Sequence, residues 1–310
     1  MQTVTASQDR VDIIEVGPRD GLQNESGILG LSDKVRLIQA LADAGLKHIE
    51  AGSFVSPKWV PQMADSQAVF KALPRKPGVI YSALTPNLKG FEAALACQVD
   101  EVAIFTAASE SFTQKNINCS IAESIERFIP LIDQAKSYNL RVRAYVSCIA
   151  ACPYEGAIAP EKVREVTARL LELGCYEVSL GDTIGVGRPH EIARLLRFLL
   201  NEFSSQQLAL HFHDTYGQAL ANIYVALELG FRRFDSSVAG LGGCPYARGA
   251  SGNVATEDLV YLLQGAGLET GIDLPALIRA GQEICQALNR QNQSKVANAL
   301  GQKNNKECNQ

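Results

Sequence analysis

The chain has 310 residues, enough for two modest domains or one large α/β barrel, and 29 Lys and Arg against 33 Asp and Glu leave it at −4. That balance excludes a general phosphate-backbone binder, so nucleic acid is not an expected partner. No run of the sequence approaches the roughly 20 apolar residues of a membrane helix. Eight cysteines are spread over the whole length rather than packed into a disulfide framework, so reduced thiols are expected. Cys148 and Cys152 form a C-x3-C pair without the second pair or nearby histidine of a structural zinc site. The first ten residues show no apolar targeting core and a single basic residue, and a cytoplasmic protein is the expectation.

From residue 11 onward, short β-branched runs alternate with amphipathic stretches of helical period. Strands are expected at 11–16, 48–51, 79–83, 101–105, 141–147, 176–180, 209–213 and 234–238. Between them the spacing predicts helices over 32–44, opened by Ser32 as N-cap and stopped by Gly45, and over 120–138. Helices over 160–173, ending at Gly174, and 217–229, ending at Gly230, repeat the unit. Eight such units predict a (β/α)8 TIM barrel over about 11–268 rather than a doubly wound sheet. The turn after the first strand reads Gly17-Pro18-Arg19-Asp20-Gly21 and not G-x-G-x-x-G, which disfavours dinucleotide binding. Further helices at 256–266 and 274–288 place extra C-terminal helices over about 269–300, with a polar tail at 301–310 expected to be disordered. The whole chain, 1–310, is then one catalytic domain.

In a barrel, polar groups at the C-terminal strand ends converge on one mouth. Those groups here are Arg19 and Asp20, Glu50, Asp182, and His211 with His213. The two histidines flank Phe212, so period-2 geometry puts both rings on one side of the strand. Alone, such a pair is as often satisfied core histidine as metal ligand; beside Asp20 it points to a mixed site for Mg2+ or Mn2+, with Zn2+ disfavoured for want of cysteine ligands. Arg19 is suited to an oxygen that becomes negative during reaction, or else to an ion pair with Glu15 or Glu50. The segment 240–253 is too glycine-rich to be rigid and reads as a mobile loop carrying Cys244, a candidate acid or base, and Asn253, a candidate metal ligand or a turn residue.

Four stretches together carry a resemblance. They are Glu15-Val16-Gly17-Pro18-Arg19-Asp20-Gly21-Leu22-Gln23-Asn24-Glu25, the run from Ser53 to Met63 with Lys58 and Trp59, His211-Phe212-His213-Asp214-Thr215, and Ser237-Val238-Ala239-Gly240-Leu241-Gly242-Gly243-Cys244-Pro245-Tyr246. With them the chain resembles the 3-hydroxy-3-methylglutaryl-CoA (HMG-CoA) lyases over most of its length. The resemblance implies retro-Claisen cleavage of HMG-CoA to acetyl-CoA and acetoacetate, as in leucine breakdown, at a divalent cation held by Asp20, His211, His213 and Asn253. It implies Arg19 as oxyanion stabiliser and, with Gln23, substrate contact; Asp20 or Glu50 as base; His211 or Cys244 as the proton donor to the enolate; and Asp182 and Glu257 as groups that orient the others. Lys58 and Arg248 are candidates for the CoA phosphates, equally explained as surface ion pairs, and a homodimer is expected. Ser26 stands where many of the family carry Lys, which removes a charge near the mouth. Three other readings stay open: a substrate with a longer C3 substituent, a condensing enzyme joining acetyl-CoA to a 2-oxo acid, and an inactive barrel used as a scaffold.

Overall fold

The computed structural model describes residues 9–243 and 252–307. Eight parallel strands close into a barrel: β1 Asp12–Glu15, β2 His48–Ser53, β3 Ile80–Leu84, β4 Glu101–Ala107, β5 Arg141–Ser147, β6 Glu177–Asp182, β7 Leu208–Phe212 and β8 Arg233–Ser236. Each strand pairs with its neighbours in sequence, and β8 returns to pair with β1. All eight expected strands are present. Helices fill the connections, and the only other strands among the described residues are a small hairpin, Ala151–Cys152 with Gly156–Ala157, beyond β5. No helix of the described residues is long and apolar enough to cross a membrane.

Local chemistry explains where elements begin and end. The helix Ile121–Ser137 opens on a reciprocal capping box, in which Ser120 accepts from the Glu123 amide at 3.1 Å and Glu123 accepts from the Ser120 amide at 2.7 Å. The helix Pro160–Leu173 starts with a proline whose missing N–H costs nothing there and ends at Gly174, φ 111°. Three expectations are corrected. Ser32 is not a cap: the helix Leu31–Asp43 begins one residue earlier, with Gly30 at the N-cap making no side-chain bond. The helix expected from 217 starts at Ala219, because Gly217 takes a left-handed turn conformation, φ 68°. The polar tail expected from 301 is helical through Glu307, as the segment Lys295–Glu307 contains no proline and is rich in residues that tolerate a helix.

The strand period sorts side chains into two environments. Val142, Ala144 and Val146 of β5, Val178 and Leu180 of β6, Leu208, Leu210 and Phe212 of β7 and Phe234 of β8 face the helices and join one continuous apolar core. The opposite parity faces the axis and is polar: Glu50, Glu101, Arg143, Tyr145, Glu177, Ser179, His211 and Asp235 are all buried. Buried charge of this density costs desolvation energy that an apolar filling would avoid. It marks the axis as the place where chemistry is housed.

Gly45 shows how tightly the shell is fitted. It sits at φ 107°, and a side chain there would run into the Gly271 backbone. Gly45→Ala is expected to destabilise the fold by about 2–4 kcal/mol, combining left-handed strain with a clash that only backbone movement relieves. Urea unfolding checks it, and an unchanged midpoint would show that the Gly271 segment yields.

Candidate active site and metal centre

The first wall of the site is the turn Gly17–Gly21 after β1. The Val16 carbonyl accepts from the amides of Arg19 and Gly21, both at 3.1 Å, which curls the chain and turns Arg19 and Asp20 into the mouth. Glycine is required at both ends of the turn, since a Cβ on Gly17 would lie 2.6 Å from Glu15 Oε1 and one on Gly21 2.6 Å from Ser237 Oγ. Arg19 is 6% exposed. Its guanidinium lies 2.6 Å from Glu50 Oε2 and 2.7 Å from Asp20 Oδ1, with its Cζ 5.5 Å from the centre of the Tyr145 ring. Tyr145 also donates its hydroxyl to Glu50 Oε2 at 3.2 Å. Burial alone would disfavour the Arg19 charge, but the two carboxylates outweigh it and hold the group firmly cationic. Glu50 is raised above the usual carboxylate range by its complete burial, against the pull of Arg19.

The second wall comes from β7 and its continuation. Asp20, His211 and His213 each place a ligand atom within 4.8 Å of the others, the only such group among the described residues. Asn253 reaches the cluster because the chain returning to the barrel forms a bridge to His213. Asn253 Nδ2 donates to Asp20 Oδ2 at 2.9 Å and to the Leu241 carbonyl at 3.2 Å, while its buried Oδ1 has no donor. Burial pushes the Asp20 carboxyl up, but Arg19 and the two imidazoles prevail and bring it down to about 2. His213 is lowered to about 4 by burial and by His211, so its ring is neutral near pH 7. His211 is raised: burial is outweighed by Asp235, whose Oδ2 lies 3.3 Å from Nδ1.

The other expected residues fall into place differently. Gln23 is half-buried one turn beyond Arg19, while Ser26 and Lys58 are exposed. Cys244 and Arg248 lie outside the described residues. The stems of their segment meet, for a Cβ on Gly252 would stand 2.7 Å from the Gly242 backbone. Cys148 and Cys152 are buried, and Cys152 Sγ accepts from Ser109 at 3.0 Å. Asp182 and Glu257 were expected to orient the ligands, and their hydrogen bonds run to backbone amides rather than to the ligand side chains. Asp182 accepts from the Gly187 amide at 2.8 Å, and Glu257 accepts from the Ala239 amide at 2.8 and 3.0 Å, so each carboxyl ties down a backbone turn. Glu257 and Glu15, which takes the Val238 amide at 2.9 Å, are also why β8 stops at Ser236 and the chain turns at Val238–Gly240. Tyr145 and Asp235 were not singled out in the sequence. The available signal was an ionisable residue at axis-facing parity in two predicted strands.

The turn-holding carboxyls Glu257 and Glu15 are expected to make the stability depend on pH. Burial raises Glu257 from an ordinary 4.5 to about 8, against the Ala239 hydrogen bond and with added repulsion from Glu15, itself raised to about 7 by burial. A carboxyl raised on folding contributes stability that is whole below its unfolded pKa and lost as pH rises through the folded one. From pH 6 to 8 the unfolding free energy is therefore expected to fall by about 2 kcal/mol through Glu257 alone. Glu257→Gln should flatten that slope in urea midpoints measured across the range, and an equal slope in the variant would remove Glu257 from the account.

Comparison with known proteins finds relatives over most of the chain. The HMGL-like family profile matches residues 10–284. A Pseudomonas aeruginosa protein named 3-hydroxy-3-isohexenylglutaryl-CoA/hydroxy-methylglutaryl-CoA lyase is 58% identical over 291 residues, 94% of this chain and 97% of the relative. The human mitochondrial hydroxymethylglutaryl-CoA lyase is 60% identical over 290 residues, 94% of this chain and 89% of the relative. Among solved structures, the hydroxymethylglutaryl-CoA lyase of Pseudomonas aeruginosa superposes with a TM-score of 0.94 at 57% identity, covering 95% of this chain and 98% of that one. An HMG-CoA lyase of Acinetobacter baumannii in complex with coenzyme A and 3-methylmalate superposes with 0.91 at 38% identity, covering 96% and 97%.

Proposed function

The chain belongs to the HMGL-like family and is a carbon–carbon lyase, and from that premise we propose that it cleaves HMG-CoA to acetyl-CoA and acetoacetate with the aid of a divalent cation. The observation that carries the proposal is the cluster of half-buried Asp20 with buried His211 and His213, the Arg19 guanidinium lying 2.7 Å from Asp20. The donor set fits a hard divalent ion. It offers one carboxylate held ionised, His213 held neutral, and the undonated carbonyl oxygen of Asn253. Asp20, His211, His213 and Asn253 would hold it, and Mg2+ or Mn2+ suits the two oxygen donors better than Zn2+. When bound, such a cation orients the substrate's carboxylate and tertiary hydroxyl and lowers the hydroxyl's proton affinity.

The chain's own groups then divide the work. Asp20 faces the cluster and is the assigned acceptor of the hydroxyl proton. Glu50 stands behind Arg19, where its contribution is to fix the guanidinium. The hydroxyl oxygen becomes the ketone of acetoacetate as the bond between C2 and C3 breaks, and the electron pair passes to the acetyl-CoA enolate. Negative charge collects on the thioester oxygen, which Arg19 meets from a buried, preorganised position. The proton returned to the enolate carbon is assigned to Cys244. His211 is not assigned that task, since Nδ1 meets Asp235 at 3.3 Å and Nε2 would be left to hold the ion.

The test is a lyase assay on purified protein stripped with EDTA and resupplied with Mg2+ or Mn2+, with acetoacetate detected directly. Metal-restored acetoacetate from HMG-CoA is the expected result. Turnover only of a longer C3 homologue would transfer the assignment to that substrate, and silence with both would end the lyase proposal.

A further inference from the structure

We infer that Asp235 is a positioning residue that fixes the tautomer of His211 and thereby makes its Nε2 a metal donor; the inference rests on the proposed metal centre. Asp235 of β8 stands directly opposite His211 of β7 in the sheet register. Its Oδ2 is 3.3 Å from His211 Nδ1 and also accepts from Ser179 Oγ at 2.7 Å. Arg143 grips the same carboxylate as a fork, at 2.7 Å to Oδ1 and 3.2 Å to Oδ2. Arg143 is held from behind by Glu177 at 2.6 Å, and that glutamate is also paired with Arg233. All four of Arg143, Glu177, Ser179 and Asp235 are at most 2% exposed.

This arrangement leaves His211 no choice of tautomer. The carboxylate offers only acceptors, and Ser179 and Arg143 both donate to it, so the hydrogen in the contact with His211 must come from Nδ1. The lone pair is then on Nε2, the ring nitrogen left to serve the Asp20 and His213 cluster. Metal-binding histidines are commonly set this way, and losing the outer partner weakens metal binding by about 10–100-fold. A buried Arg and Asp in the middle of a barrel, where Val, Ile and Leu ordinarily pack, are thereby given a purpose that stability alone does not supply.

Asp235→Asn is the sharp test because it keeps the shape and reverses the hydrogen-bond logic. Arg143 donates to both oxygens but makes its shorter contact, 2.7 Å, at Oδ1, so the amide oxygen is expected there and the NH2 at the Oδ2 position facing His211, with the 3.2 Å Arg143 contact given up and Ser179 turned to accept. An NH2 donor at Nδ1 drives the ring proton to Nε2 and blocks the ligand position. Two readouts separate the claims. In metal-free protein at alkaline pH, selectively 15N-labelled histidine should show His211 protonated at Nδ1 in the wild type and at Nε2 in Asp235→Asn; the chain has only four histidines to assign. Mn2+ titration followed by electron paramagnetic resonance should show affinity reduced about 10–100-fold in Asp235→Asn and changed only a few-fold in Ser179→Ala, which keeps the carboxylate. A wild-type His211 carrying its proton on Nε2 overturns the inference without any variant, even if Asp235→Asn does not fold. So does a folded Asp235→Asn with wild-type Mn2+ affinity. Wild-type protein that binds no Mn2+ while His211 shows the Nδ1–H form overturns the metal centre, and with it the purpose assigned here to the tautomer.

Discussion

Arg19→Gln is expected to lower kcat by about 10²–10³-fold, the usual loss when one preorganised donor to a developing oxyanion is removed. The glutamine still offers N–H donors, so what disappears is a fixed positive charge held in a buried position. That charge is well anchored, by Glu50 at 2.6 Å, Asp20 at 2.7 Å and the Tyr145 ring at 5.5 Å, and therefore needs no reorganisation as the enolate forms. The substitution also leaves Asp20 and Glu50 without their shared cation, so Asp20 should rise from about 2 towards its ordinary range. Arg19→Lys separates the two effects: it restores charge near the carboxylates but not the planar fork. The direct readout is exchange of the acetyl-CoA methyl protons with deuterated water, which reports enolate formation without carbon–carbon cleavage. Exchange should fall with kcat in Arg19→Gln and recover only in part in Arg19→Lys. Full exchange in Arg19→Gln would take the oxyanion away from Arg19.

Which parts of this site were legible in the sequence follows from what period-2 geometry can and cannot say. Parity put His211 and His213 on one side of a strand, and the count of eight alternating units closed the sheet, so the mouth and the contribution of Asp20 to it followed. Parity does not say which residues meet across an axis. Arg143, Ser179 and Asp235 come from three different strands, and the bonds that join them depend on the stagger of the closed barrel. Asp182 and Glu257 illustrate the converse. Both are buried acids near strand ends, as a group serving the ligands should be, yet their hydrogen bonds go to the amides of Gly187 and Ala239. Composition cannot distinguish an acid that holds a turn from one that holds a ligand, because both are buried and both accept hydrogen bonds. The Ser32 expectation failed for a similar reason: the N-cap is Gly30, two residues earlier and without any side-chain bond, and a capping preference of about 1 kcal/mol is easily overridden by packing of the following apolar face.

Asp20→Asn is expected to remove activity almost completely and to weaken Mn2+ binding by at least about 100-fold, the larger of the two losses being activity. The charge balance of the cluster gives the reason. His213 is held neutral and Asn253 carries no charge, so Asp20 is the anion of the proposed ligand set, and Arg19 stands 2.7 Å from it as a fixed cation. With asparagine at position 20, a divalent ion would enter a buried site facing Arg19 with no neighbouring ligand charge to offset the repulsion, a penalty that low dielectric enlarges. The geometry would otherwise persist, since an asparagine there can still exchange a hydrogen bond with Asn253. High metal concentration separates binding from proton transfer. If saturating Mn2+ restores occupancy in the paramagnetic resonance titration and activity stays absent, Asp20 acts as proton acceptor as well as ligand. If activity returns with occupancy, the proton goes elsewhere, and Glu50, raised by burial and 2.6 Å from Arg19, becomes the next carboxyl to replace. Wild-type Mn2+ affinity in Asp20→Asn would remove Asp20 from the metal centre altogether.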